Sequence, residues 1–134
     1  MNKIPHFNLT WLLRYWLGFM LIYHSHWLFF EPDATKEFVA FIASKGFPVP
    51  EILAYLAKSI EFFGGALLLT GLYTRLVSFL IALVLGIAAL YIHKGLFWSE
   101  GELAFNYFLI AVILFFNPNI PFKLFKKNNK IEKQ

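Results

Sequence analysis

The sequence predicts an all-α fold, a four-helix transmembrane bundle with a short amphipathic helix in the first outer connection. Three observations predict it. The 134 residues are 59% hydrophobic and 20% aromatic, with a mean hydropathy of +0.61, beyond the composition of ordinary soluble domains. Four apolar stretches, at about 9–30, 52–73, 76–92 and 103–116, approach the ~20 residues that a helix needs to cross a bilayer. The remainder, a connection at 31–51 and two short termini, is too little for a separate soluble domain, so residues 1–134 read as one integral membrane domain.

The first stretch carries Arg14 and two histidines and lacks a small-residue cleavage site, so it is expected to stay as a helix rather than act as a cleaved signal. Asn8 or Thr10 can cap it. Trp11, Trp16 and Trp27 suit interfacial or lipid-facing positions, and Arg14 is placed to snorkel to the cytoplasmic headgroups. Arg14, Gly18, Leu21 and Ser25 form one helical stripe, whose small residues allow a neighbour to pack closely. His24 and His26 flank that stripe on opposite sides, so at most one of them points inward.

After Glu31-Pro32-Asp33, the segment 34–45 places Phe38, Val39, Phe41 and Ile42 largely on one face and ends at Gly46. This amphipathic helix is too short to span, and its pattern fits a lid over the bundle mouth as well as an interfacial connector. Pro48 and Pro50 precede the second span, where Lys58 and Glu61, three residues apart, can pair on one face. Gly64 and Gly65 follow near mid-membrane, and Gly71 ends the helix before a very short loop to Thr74-Arg75, which makes a helical hairpin. Gly86, Ala88 and Ala89 give the third span a small-residue face before His93-Lys94-Gly95. Glu102 opens the fourth helix, Asn106 lies one turn deeper on the same face, and Asn117-Pro118 stops it.

The net charge of +4 is concentrated after the last span, in Lys123, Lys126, Lys127, Lys130 and Lys133. With no aromatic residues interleaved after Phe125, this basic tail, 118–134, reads as a lipid-headgroup contact and not as a nucleic-acid site. An arrangement with both termini cytoplasmic puts Lys3, Arg14, Arg75 and the tail on the inner side, against Lys36, Lys45 and Lys94 outside. There is no cysteine, which excludes disulfides, thiolate nucleophiles and iron–sulfur ligation by this chain.

Hydrocarbon excludes ionisable groups, so those inside the spans usually face the interior of a bundle and mark a site. With the helices running up and down, His24, Glu61, His93 and Glu102 fall in the same, outer half, with Lys58 beside Glu61 and Asn106 below Glu102. All six can line one outward-facing cavity, with Glu61 as the proton-exchanging group. The alternative is a hydrogen-bond and ion-pair network that holds helix register. His24 and His93 also allow a haem b between two helices, while no ligand-pair spacing supports a metal and none is assigned. His6 and His26 are read as surface or interface residues.

These residues resemble the DoxX/DoxD-like membrane protein family. The likeness covers residues 12–116: Arg14-xxx-Gly18 followed by His24, Glu61-xx-Gly64-Gly65 with Gly71-xxx-Arg75, and His93 with Gly101-Glu102. Arg14, Gly18, Gly64, Gly65, Gly71 and Arg75 are its structural positions. The chain departs from the pattern at Ser25, at Leu28 and at Asn117-Pro118-Asn119. The resemblance implies a four-helix bundle in a bacterial-type cytoplasmic membrane and a link to redox proteins, the family name coming from a subunit of a thiosulfate:quinone oxidoreductase. With the polar constellation, this leads to a redox-linked subunit that binds a quinone or similar amphipathic molecule, in contact with membrane lipid and a protein partner, with a homo-oligomer allowed. The rival reading is a non-enzymatic adaptor that recruits a protein partner.

Overall fold

The computed structural model describes residues 9–94 and 96–118, and these residues are all helix, turn or loop. His6, Asn8, Gly95 and the lysines of the tail lie outside the described residues. In chain order the helices are α1 (Thr10–Ser25), α2 (Trp27–Phe30), α3 (Pro32–Ser44), α4 (Pro50–Thr70), α5 (Thr74–Ile87), a π-helical turn (Ala88–Ile92) and α6 (Glu102–Phe116). α4, and α5 with its π turn, are long and apolar enough to cross a membrane. α1 and α6 are shorter, at 16 and 15 residues.

The first stretch, expected as one uninterrupted span, is divided at His26. Its side chains take up the carbonyls of the last turn: Ser25 Oγ donates to the Leu21 carbonyl at 2.5 Å, His26 Nδ1 to that of Tyr23 at 2.6 Å, and Trp27 Nε1 to that of His24 at 2.6 Å. Such side-chain bonds compete with the helical ladder. The N-cap position is Leu9, whose side chain makes no capping bond. Pro32 then starts α3 at a position where its missing N–H costs nothing. Buried Thr35 ties α3 to α2, its hydroxyl donating to the carbonyls of Glu31 and Leu28 at 3.2 and 3.4 Å.

α4 ends in a left-handed glycine: Gly71 has φ +76°, and the Gly71 and Leu72 amides both reach the Leu67 carbonyl, at 2.9 and 3.2 Å. This cap reverses the chain, and the turn through Leu72 and Tyr73 leads straight into α5. α1 packs chiefly on α4 and α5 chiefly on α6, while α4 also meets α5, and α6 meets α1. Leu17, Leu21, Leu68, Val77, Ile81, Leu85, Ala111 and Leu114 fill the space between them.

Two glycines of α4 face different neighbours. A Cβ on Gly65 would lie 2.7 Å from the Gly18 carbonyl oxygen, and one on Gly18 would lie 2.8 Å from that of Gly65, so α1 and α4 touch backbone to backbone. A Cβ on Gly64 would meet Ile81 of α5 at 3.1 Å. Outside this core, Phe63, Leu76, Leu90 and Phe116 are each more than half exposed. So broad an apolar exterior suits lipid and not water.

Arg14 departs from the expectation that it snorkels. It is 3% exposed, enclosed by Thr10, Trp11, Thr74, Leu114 and Asn117 around a void of about 10 Å³, and its Nε and Nη1 make no hydrogen bond among the described residues. Its place on the inward stripe with Gly18 and Leu21 directs it between α1 and the end of α6, where the terminal carbonyls carry partial negative charge that favours a cation. The void has the size of roughly one water. Nearby, Arg75 Nε donates to the Phe115 carbonyl at 3.4 Å and links the start of α5 to the end of α6.

Candidate functional site

At the end of the molecule opposite Arg14 and Gly71, the helices enclose a cavity of about 430 Å³. α4 supplies its polar centre. Lys58 Nζ donates to Glu61 Oε2 at 2.7 Å, an approach made by their three-residue spacing on one helical face. The two side chains are 14% and 8% exposed, so this pair is largely removed from solvent. The ammonium also lies 5.1 Å from the Phe38 ring centre and 5.8 Å from that of Trp27. Both rings attract the cation through their π faces.

α1 contributes His24 from its last turn. Its imidazole packs 6.0 Å from the ring of Tyr107 on α6, while the His24 carbonyl accepts the Trp27 indole N–H. His24 faces the cavity, and His26 turns away to bond the Tyr23 carbonyl. The indole therefore serves the site, where the sequence suggested an interfacial or lipid-facing tryptophan. α3 closes the cavity with Phe38, Phe41 and Ile42, the same apolar face that its pattern predicted.

His93 reaches the cavity through a local change of helix. The His93 amide bonds the Ala88 carbonyl at 3.0 Å, five residues back, so the π turn holds one residue more than an α turn. That extra residue rotates His93 about the axis relative to a continued α-helix. Gly101 then presses against it: a Cβ there would lie 2.9 Å from His93 Cβ and 3.0 Å from the Leu96 carbonyl oxygen. A glycine is what lets the start of α6 approach so closely.

His24, Lys58, Glu61 and His93, from three segments distant in sequence, thus line one cavity. Glu102 and Asn106 do not: both are exposed on α6, and the face that meets the cavity carries Leu103, Ala104 and Tyr107 instead. Glu102 begins α6 and points outward, and Asn106, one turn on, shares that direction. Tyr107 is the residue that sequence reasoning overlooked. It is 6% exposed, and the available signal was a phenol inside an apolar span, which carries a polar tip that needs a partner. Phe62, Phe63 and Phe105 do not line the cavity, the first two packing near Phe29 and the third on Phe97. Among the described residues, no three His, Asp or Glu side chains converge as a metal site would require.

The donor set can do definite chemistry. The Lys58 ammonium, an imidazole N–H of His24 or His93 and the Tyr107 hydroxyl can donate to a carbonyl oxygen, and the Glu61 carboxylate can accept from a hydroxyl. Apolar walls surround these few polar groups, as is usual where a small molecule is held.

The DoxX family model matches residues 9–94, from the start of α1 to just past the π turn. The match holds His24, Lys58, Glu61 and His93 and stops before α6, so Gly101, Glu102 and Tyr107 lie beyond it. No curated protein and no solved structure matches the chain. With that match extending over well more than half of its length, the chain belongs to the DoxX family.

Proposed function

We propose that this membrane protein is the quinone-binding, redox-linked subunit of a membrane complex, and that the cavity between α1, α3, α4, α5 and α6 is its ligand site. The carrying observation is that four ionisable side chains from three segments line one apolar-walled cavity of about 430 Å³. That volume lies in the lower part of the ~300–1,000 Å³ range of ligand pockets. It suits a single ring better than a four-pyrrole macrocycle, so a quinone fits this donor set better than a haem.

In this reading the apolar walls and the Phe38 and Phe41 rings hold the ring of the ligand. Lys58, His24 and His93 donate to the quinone oxygens, and Glu61 accepts from the reduced, hydroxyl form. A two-electron reduction of a quinone also consumes two protons. A redox partner protein supplies the electrons, and Glu61, beside Lys58, is the group that exchanges protons with the bound oxygen. Leu56, Leu83 and Ile87, on the exposed sides of α4 and α5, form a lateral entrance from lipid. The chain crosses the membrane four times, by α1 with α2, by α4, by α5 with its π turn and by α6. The cavity lies in the outer half and both termini are cytoplasmic.

The test is equilibrium binding of a short-chain benzoquinone and of its hydroquinone, kept reduced, to the detergent-purified protein by titration calorimetry. Glu61→Gln keeps the shape and removes the charge, and a hydrogen bond to a charged group carries ~1.5–3 kcal/mol, so affinity for the hydroquinone should fall roughly ten- to a hundredfold. His24→Ala and His93→Ala should weaken binding non-additively, because both touch the same ring. Unchanged binding with lowered thermal stability would leave the polar cluster as a packing device and favour the adaptor.

A further inference from the structure

A second, wholly apolar groove of about 580 Å³ runs along the exposed seam between α5 and α6. One stripe of α5 and the π turn, from Phe79 through Gly86 to Leu90, forms one wall, and Phe108, Val112 and Phe115 of α6 form the other. Gly86 leaves the floor low, since a Cβ there would already lie 3.2 Å from the Phe108 ring. At 1.5 Å per residue, the stripe from Phe79 to Leu90 extends over about 16 Å.

The groove adjoins the polar cavity across the exposed edge of α5. Phe47, Leu83 and Ile87 line both, and Phe47 packs on Tyr91 with ring centres 4.9 Å apart. We propose that the cavity and groove together accept one molecule: a polar ring at Lys58 and Glu61, and a long single hydrocarbon tail that crosses the Leu83–Ile87 ridge and lies along the α5–α6 seam. The ligand class is then a long-tailed, polyprenyl-type or alkyl quinone, not a water-soluble one. This inference rests on the quinone reading of the cavity and adds the path of the tail. Hydrocarbon gains little by moving from lipid into an apolar groove, so the position of the tail, and not affinity, is what separates this arrangement from loosely associated lipid.

The experiment uses the full-length protein in mild detergent and a benzoquinone with a decyl chain that ends in an alkyl diazirine. Labelled residues are mapped by mass spectrometry, and a decanoic acid with the same diazirine serves as the lipid control. Label should fall on Phe79, Val112 or Phe115. A tailless quinone at about ten times its own Kd should reduce that label by about tenfold, from the mass-action factor 1 + [L]/Kd. Leu90→Trp, which puts a bulky ring at the exposed rim of the groove, should move the label out of the seam while tailless-quinone binding persists.

Competed label on Leu56 would mean that the tail leaves between α4 and α5, which overturns the tail path and keeps the quinone site. A labelling pattern like that of the fatty-acid control, unaffected by competitor, would also overturn the tail path. Failure of the tailless quinone to bind would overturn the quinone site and this inference with it.

Discussion

Lys58 and Glu61 show how spacing becomes chemistry at the scale of single residues. Three positions apart on α4, they meet at 2.7 Å with little solvent around them. Breaking a buried pair by removing one partner costs ~3–5 kcal/mol, because the other charge is left uncompensated, whereas replacing both charges is often close to neutral. Lys58→Met should therefore lower the thermal midpoint in detergent sharply, and adding Glu61→Leu should restore most of it. Binding of a short-chain quinone should remain lost in the double variant. Recovery of both stability and binding would show that the pair only packs the helices. This pair was legible because its geometry is local to one helix. Tyr107 was not, since nothing in a single tyrosine within an apolar span says that α6 will turn it toward His24.

Among the elements, the contact between α1 and α4 sets how closely the walls of the cavity approach. Gly18 and Gly65 were read from the sequence as small-residue packing positions, and each carbonyl occupies the place where the other's Cβ would stand. A methyl at either position forces the helices apart, and overpacking of this kind costs ~1–3 kcal/mol. Gly18→Ala and Gly65→Ala should each reduce thermal stability in detergent by an amount in that range. The double variant should lose less than the sum, because the first methyl has already opened the shared contact. Additive losses would place the two glycines in separate contacts. The division of the first stretch at His26 and the π turn before His93 have the same character: each depends on a few side-chain or backbone bonds that average hydropathy does not register.

On the scale of the whole molecule, Arg14, Gly71 and Arg75 lie at one end and the cavity with His24 and His93 at the other. The orientation proposed above puts the first end at the cytoplasmic face. A reporter fused after Gln134 should accordingly be active in the cytoplasm, and a tag inserted beside Lys45 should be accessible from outside intact cells. A C-terminal reporter active outside would overturn the orientation and place the cavity in the inner half. The described exterior, with exposed residues such as Leu76, Leu90 and Phe116, should also hold the protein in the membrane fraction after salt washing.

The sequence by itself determined what depends on composition and on neighbours within a few positions: membrane character, helical class, the glycine cap at Gly71, the apolar face of α3, the Lys58–Glu61 spacing and the family. Hydropathy, capping and i,i+3 geometry are local, and a single chain displays them directly. The tertiary structure decided which side chains meet. It brought His24, Glu61 and His93 to one cavity, turned Glu102 and Asn106 outward, added Tyr107 and Trp27, and buried Arg14, which had been read as reaching the headgroups. Those outcomes follow from the rotation of each helix about its axis. One residue displaces a side chain by about 100°, so a single extra residue in the π turn or one close glycine contact selects the inward face, and periodicity read helix by helix leaves that angle open.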